Sequence, residues 1–380
     1  ARALARSLTS VAHGAGLPAR ALITDMNQVL GHNAGNALEV AESVRFLKGT
    51  VQEPRLLKVT LNLAAVLLNL CGVAPNLLAA HRLAQQALDL LAGYEIIYAG
   101  KAPTEEDMVA LCKQYDPVAI IVRYGKVSAP MMDAAPSLKV ISKHGSGTDT
   151  IDKVAAKERG IEVVAAVGAN AAAVAEQALA LLLACAKSVV TLDSRMHAGH
   201  WDKAAHKSME LGGRTIGLVG LGAIGLRFAR MADALGMRVI GFDPFAKNLP
   251  DYVHSVSLET IWRDADAISL HCPLTDENRG MLNAATLAQC KRGVIVVNTA
   301  RGGLIDEAAL LEAARSGQVM SAGLDSFAVE PMAAGHPFQG EKSFVLSPHI
   351  GGVTHDAYVN MGVGAAKNLL QVLLRCTAAV

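Results

Sequence analysis

Residues 214–244 read RTIGLVGLGAIGLRFARMADALGMRVIGFDP. An apolar run ends at Gly220, Gly222 and Gly225, spaced G-x-G-x-x-G, and a helical pattern begins at once. Glycine at these places permits a tight turn, close approach of a pyrophosphate to N–H groups at a helix N-terminus, and close packing of helix on strand. Ala223 and Ile224, inside the turn, join the candidate cofactor residues. The second strand, RVIGFDP, ends in Asp243, 18 residues after Gly225. A carboxylate there accepts hydrogen bonds from both ribose hydroxyls of an adenosine and repels a 2′-phosphate. Strand, turn, helix and acid predict a dinucleotide site that prefers NAD to NADP, with nearby Lys247 weighing slightly against the preference.

The same rhythm continues through AISLHCP, GVIVVNTA, SAGLDSF and SFVLSPH. A separate series precedes it: YEIIYAG at 94–100, VAIIVRYG at 118–125, LKVISKHG at 138–145 and IEVVAA at 161–166, with helical stretches between. Strand and helix patterns that alternate in this way predict parallel sheets covered by helices. The expected class is α/β, with two doubly wound parallel-sheet domains, one flavodoxin-like and one Rossmann, a cleft between them, and a mainly helical N-terminal extension. The expected boundaries are 1–92 for the extension, 93–190 plus 351–380 for a substrate domain, and 191–350 for the NAD-binding domain. The closing segment DAYVNMGVGAAKNLLQVLLRC is expected to pack back on the first sheet.

Composition narrows the function classes. Of 380 residues 52% are hydrophobic, enough for more than one core, and 35 Lys+Arg nearly balance 34 Asp+Glu. So even a balance supplies no field to draw the chain to nucleic acid or an anionic membrane. The apolar stretch ALALLLACA is far shorter than the roughly 20 residues of a membrane span. Six cysteines without a CxxC pair suit reduced thiols and a cytoplasmic setting. His197, His200 and His206 are close in sequence but lack an acidic or Cys partner at zinc spacing, so no metal is expected. The chain begins without Met, which suggests a truncated start. No regulatory domain is expected after the last helix.

Three motifs end strands of the second series: VVNTARGGLID with Arg301, GLDSFAVEP with Glu330, and LSPHIGG with His349. The carboxyl edge of such a sheet is where ligands bind. There a guanidinium grips a carboxylate and polarises a carbonyl, an imidazole exchanges a hydroxyl proton, and a carboxylate keeps that imidazole cationic.

With these four motifs in this order, residues 93–375 resemble the D-isomer-specific 2-hydroxyacid dehydrogenases, which include 3-phosphoglycerate and glycerate (hydroxypyruvate reductase) dehydrogenases. The resemblance implies that Arg301 binds and polarises the substrate, that Glu330 partners the histidine, and that His349 is the acid/base. It places Asp325 near the nicotinamide carboxamide, and Cys272, Pro273, Thr299, Ala300, His349 and Gly351 along the cofactor. In IIVRYGKV, KHGSGTDTID and GANAAAVAEQ, it makes Arg123, Gly125, Ser146, Gly147 and Asn170 candidates for holding the substrate carboxylate. It also implies a homodimer acting on a small 2-hydroxy or 2-keto acid. A phosphorylated substrate is open because Arg123, Lys126 and Lys143 are basic, and glyoxylate and hydroxypyruvate stand equal to it. The same family includes NAD(H)-responsive corepressors, which is the second reading.

Residues 19–50, ARALITDMNQVLGHNAGNALEVAESVRFLKGT, resemble the middle of thymidine (pyrimidine-nucleoside) phosphorylases, a likeness that continues to about residue 92. The phosphorylase motifs for phosphate and pyrimidine are not found there, so a fusion without a working phosphorylase site is expected. A strand at 21–26 and helices at 37–49 and 76–93 are predicted, and PRLLKVTLNLAAVLLNLCG reads as a helix. Residues 1–24 carry Arg2, Arg6 and Arg20 without an acid, a composition shared with transit peptides but here assigned to the extension. Missing its opening strand, the first dehydrogenase sheet is expected to expose an edge unless the appended segment covers it.

Overall fold

The computed structural model describes residues 2–14, 19–21, 53–70, 94–100 and 103–378. All but Ala21 of the expected strand over 21–26, and the helices over 37–49 and 76–93, lie outside the described residues. The chain divides into two compact units, Ala1–Lys101 and Ala102–Val380. In the first, α1 (Arg2–Gly14) and α2 (Pro54–Leu70) are helical, as the pattern of PRLLKVTLNLAAVLLNL predicts. Leu61 is buried in α2 and packs with Leu56, Leu57 and Ala64. Residues 94–100, expected as a strand, have no regular structure. Apolar side chains alone do not make a strand. A ladder partner is needed, and Ile96 and Tyr98 are instead 71% and 78% exposed.

The second unit begins with a βα series. Strands β1 (Ala119–Val122), β2 (Val140–Lys143) and β3 (Glu162–Ala165) form a parallel sheet in that order. Helices α3 (Glu105–Tyr115), α4 (Ala129–Asp133) and α5 (Lys153–Glu158) bury one of its faces around Met131, Met132, Leu138 and Ile141. Asp152 caps α5 by accepting from the Ala155 N–H, which satisfies one of the orphan donors of the first turn. The capped turn sets the end of the loop that follows β2. Among the described residues no strand lies beside the outer edge of β1.

After β3 come α6 (Ala171–Lys187) and α7 (Val189–His197), then the larger sheet. Its seven strands are β4 (Thr215–Val219), β5 (Arg238–Phe242), β6 (Val253–Ser255), β7 (Ala267–Leu270), β8 (Val294–Asn298), β9 (Val319–Leu324) and β10 (Phe344–Leu346). All pairs are parallel, in the order β10-β9-β8-β7-β4-β5-β6. The order reverses at β4, and the crevice beyond its carboxyl end is the binding place that such topology creates. Every residue of β4, β7 and β8 is buried, as expected of strands covered on both faces.

One face is covered by α6 and α8 (Ala223–Ala234), the other by α9 (Leu258–Asp264), α10 (Ala284–Gln289) and α11 (Glu307–Arg315). The expected boundaries put 171–190 with the smaller sheet. In the structure α6 packs on α8, β8 and β9, because Ala175, Ala178, Leu181, Leu182 and Cys185 form a buried stripe against the larger sheet. A side chain at Gly323 would lie 2.7 Å from Leu181 Cβ, so this glycine lets β9 take the helix at close range. The last helix, α12 (His355–Ala378), returns to cover β1, β2 and β3, the place expected for it. Ser142 Oγ donates to the Ala365 carbonyl and Asn368 Nδ2 to the Ala165 carbonyl, both at 2.8 Å, and Arg375 pairs with Glu162. No single described helix is long and apolar enough to cross a membrane.

Candidate active site

The glycine turn has the geometry its spacing requires. Gly220 has φ +98°, and a side chain on it would meet the backbone of His271 and Cys272 at 2.7 Å. A Cβ on Gly225 would lie 2.1 Å from the Gly220 carbonyl oxygen, so helix and strand touch there. Gly222, the N-cap of α8, meets nothing within 4 Å, so its bare surface faces open space at a helix N-terminus, with Ala223 and Ile224 beside it. Asp243 follows β5, with Oδ2 accepting from the Leu221 N–H and Oδ1 from the Phe245 N–H, both at 2.9 Å. The carboxylate thereby locks the turn to the second strand and lies beside the crevice.

Thr299, His271 and Cys272 also line the crevice. Thr299 Oγ1, beyond the end of β8, is buried without a hydrogen-bond partner. An orphaned hydroxyl, an uncovered helix N-terminus and a carboxylate at the end of β5 fit a bound dinucleotide. His271, after β7, stacks near Phe228, and burial pushes its pKa down to about 4, so it is neutral at ordinary pH. Cys272 is half-buried, and burial pushes its thiol up to about 11, which makes it an inert lining residue beside Pro273.

The expected pairing of His349 with Glu330 is formed. His349 Nδ1 lies 2.7 Å from Glu330 Oε2, and Glu330 Oε1 accepts from the Phe327 N–H at 2.9 Å. The Glu330 hydrogen bond raises the His349 pKa and outweighs burial, which lowers it. Burial pushes the Glu330 carboxyl up, but the bonds from His349 and Phe327 prevail and leave it lowered. Arg301 is near enough to oppose the charge on His349 and to favour that on Glu330. His349 has φ +54°, an uncommon conformation for a residue with a side chain. The loop around it is held by Asp325. This buried carboxylate accepts from Ser347 Oγ, the Ile350 N–H and the Gly351 N–H at 2.6, 2.9 and 2.8 Å.

Arg301 follows β8. Asn298 fixes its loop by accepting from the Ala300 N–H and donating to the Arg301 carbonyl. The guanidinium donates from Nε to Asp149 Oδ2 at 2.8 Å, Nη2 lies 2.8 Å from the same oxygen, and Nη1 donates to the Ala300 carbonyl at 2.8 Å. It rests over Gly147, where a Cβ would come within 2.0 Å of Nη2. Among the described residues, the N–H groups of Ser146 and Gly147 have no hydrogen-bond partner. Ser146 Oγ reaches Asn170 Oδ1 at 3.4 Å, which joins the loop to the start of α6. Arg301, Ser146, Gly147 and Asn170 are thus brought together.

Arg123 and Gly125 sit in the neighbouring loop after β1. The Arg123 guanidinium lies 3.9 Å from the Tyr358 ring centroid and 4.6 Å from that of Tyr124, and Nη2 donates to the Tyr124 hydroxyl at 3.0 Å. Lys143, at the end of β2, is buried and donates to the Arg123 carbonyl at 2.7 Å. Burial lowers its pKa, and Arg301 adds to that effect. Asp149, Asn298 and the aromatic clasp on Arg123 escaped sequence reasoning. Only the position of Asp149 inside KHGSGTDTID hinted at a role. Among the described residues no three His, Cys, Asp or Glu side chains are grouped to hold a metal. His197 is exposed, and His206 bonds Ser208.

Residues 179–351 match the family model described as D-isomer specific 2-hydroxyacid dehydrogenase, NAD binding domain. The hydroxypyruvate reductase of Thermotoga maritima is 39% identical over 292 residues, which are 76% of this chain and 95% of the relative. The D-3-phosphoglycerate dehydrogenase of Archaeoglobus fulgidus is 36% identical over 304 residues, 78% of this chain but 57% of that one. The chain therefore spans little more than half the length of that second relative. Among solved structures, the TT0316 protein of Thermus thermophilus aligns with a TM-score of 0.67 at 39% identity, over 72% of this chain and 88% of the other. A D-2-hydroxyisocaproate dehydrogenase aligns with a TM-score of 0.65 at 29% identity, over 72% and 87%.

Proposed function

This chain belongs to the D-isomer-specific 2-hydroxyacid dehydrogenase family, and on that premise we propose that Arg301, Glu330 and His349 carry its reaction. The reaction is NAD-dependent interconversion of a D-2-hydroxy acid and its 2-keto acid. The observation that carries the residue assignment is the 2.7 Å pair of His349 and Glu330 beside Arg301 at the sheet edge. His349 Nε2 exchanges the proton of the C2 hydroxyl while Glu330 steadies the imidazolium through Nδ1. Arg301 and the free N–H groups of Ser146 and Gly147 grip the carboxylate, with Gly125 and Asn170 shaping the niche. When bound, NAD supplies the group that accepts or returns the C2 hydride. Gly222, Ala223 and Ile224 would hold its pyrophosphate and Asp243 its ribose. Thr299, Ala300, Cys272, Pro273 and Gly351 would line its nicotinamide end. Asp325 also serves this site as the brace of the His349 loop.

For the substrate, hydroxypyruvate and D-glycerate come first, because the T. maritima relative aligns over nearly its whole length. Arg123 and Lys143 make 3-phosphoglycerate the second choice. Assay of 2-keto acids with NADH tests both points. Turnover of hydroxypyruvate that His349→Ala abolishes, with NADH binding retained, is the expected result. Undiminished turnover in that variant removes the assignment, and no turnover of any keto acid favours the corepressor reading.

We read the protein as a cytoplasmic homodimer. Exposed Val189, Val190, Met196 and Trp201 on α7 and the loop after it favour a second copy as the cover. The segment 1–92 is read as a fused phosphorylase-like piece. Light scattering of the purified chain and deletion of 1–92 test these two points.

A further inference from the structure

The Arg301 guanidinium has five N–H donors in a plane, and where each goes decides what is left for a substrate. The Nε side is taken by Asp149, whose Oδ2 lies 2.8 Å from both Nε and Nη2. One of the two N–H groups of Nη1 is taken by the Ala300 carbonyl. What remains is one N–H on Nη1 and one on Nη2, that of Nη2 on the end of the fork away from Nε. These two donors match the two oxygens of a carboxylate. Nη2 overlies Gly147, so the free fork and the unpartnered N–H groups of Ser146 and Gly147 lie side by side.

Asp149 belongs to the loop after β2 and Arg301 to the loop after β8, so the pair ties the smaller sheet to the larger. Lys143, buried at the root of the same loop, places a second cation nearby. Asp149 favours its charge while Arg301 opposes it. Without Asp149 two cations would face each other, and the guanidinium would be free to rotate its fork out of the niche.

We propose that Asp149 is a positioning residue that orients Arg301 side-on, so that the end of its fork is preset for the substrate carboxylate. The proposal rests on the reading of Arg301 as the carboxylate-binding residue. Asp149 touches neither substrate nor cofactor and acts through Arg301 alone. It differs from a latch, in which the substrate would have to displace Asp149, because the two carboxylates use different edges of the guanidinium.

Steady-state kinetics with hydroxypyruvate and NADH test this in Asp149→Asn, Asp149→Ala, Arg301→Gln and the double variant Asp149→Asn/Arg301→Gln. The expected result for both Asp149 variants is a KM for the keto acid raised at least tenfold, with kcat within about threefold, and with NADH affinity and melting temperature unchanged. Adding Asp149→Asn to Arg301→Gln is expected to change nothing further. A KM that falls or stays put in the Asp149 variants, or an effect that adds fully to that of Arg301→Gln, overturns the proposal. An Arg301→Gln variant as active as the parent overturns the reading of Arg301 itself, so the two failures are distinct.

Discussion

Asp325 lies sealed beneath the loop that carries His349, and both of its oxygens are bonded to that loop, Oδ1 to Ser347 Oγ and the Ile350 N–H and Oδ2 to the Gly351 N–H. An amide in its place turns one acceptor into a donor that faces a backbone N–H. Asp325→Asn is expected to cost about 2 kcal/mol, from one unmade buried hydrogen bond. This lowers the melting temperature by about 5 °C, and kcat falls because His349 loses its anchored loop. Thermal scanning beside an activity assay checks both.

Glu330 raises the His349 pKa, so its removal moves the pH dependence in a known direction. With His349 as the proposed acid, keto-acid reduction uses its protonated form and fades as pH rises through that pKa. Hydroxy-acid oxidation uses the neutral form and grows over the same range. In Glu330→Gln both limbs shift to lower pH, and kcat falls by roughly 100-fold through the weakened acid–base step. The profile of kcat/KM in each direction reads the shift. Limbs that stay in place would show that another group sets them.

Two glycines of one turn have opposite reasons to be glycine. At Gly225 a methyl group meets the Gly220 carbonyl at 2.1 Å, so Gly225→Ala destabilises the fold by about 2 kcal/mol through overpacking. At Gly222 the methyl meets no protein atom, so Gly222→Ala keeps its melting temperature. Its NADH affinity is expected to drop about tenfold or more, equal to about 1.4 kcal/mol. Calorimetry for stability and NADH fluorescence titration for binding separate the two.

Gly147→Ala places a methyl 2.0 Å from Arg301 Nη2, and the flexible side chain gives way rather than the backbone. The expected outcome is an intact fold, unchanged NADH binding and a KM for the keto acid raised by roughly tenfold or more. An unchanged KM would take Arg301 out of carboxylate binding.

What the sequence disclosed follows from how far apart the cooperating residues lie. Gly220, Gly222 and Gly225 make their turn with one another, so five or six consecutive residues announce it. Arg301, Glu330 and His349 each end a strand pattern inside a motif, so the common sheet edge was legible as well. Asp149 meets Arg301 across 152 positions, and no local pattern encodes such a meeting. The resemblance places Asp325 near the cofactor, but that its oxygens also anchor a loop arriving about twenty residues later is something composition does not reveal. The segment 94–100 has the residue types of a strand, but pairing depends on a neighbour that its own letters do not contain. Likewise α6 reads as an apolar helix, and which sheet it covers is settled by packing alone.

The two pairs at the site differ in where their members are anchored. Glu330 and His349 both ride on loops leaving the larger sheet, the latter pinned by Asp325, so a rotation of one sheet against the other leaves their 2.7 Å separation untouched. Arg301 and Asp149 come from different sheets, so the same rotation stretches or closes their contact. On the proposed reading the proton-exchanging pair is therefore built in before any ligand arrives, whereas the proposed grip on the carboxylate exists only when the sheets stand in the right relation. A solvent, crowding agent or distant substitution that changes that relation will register in substrate affinity first and leave the acid–base titration of the histidine where it was.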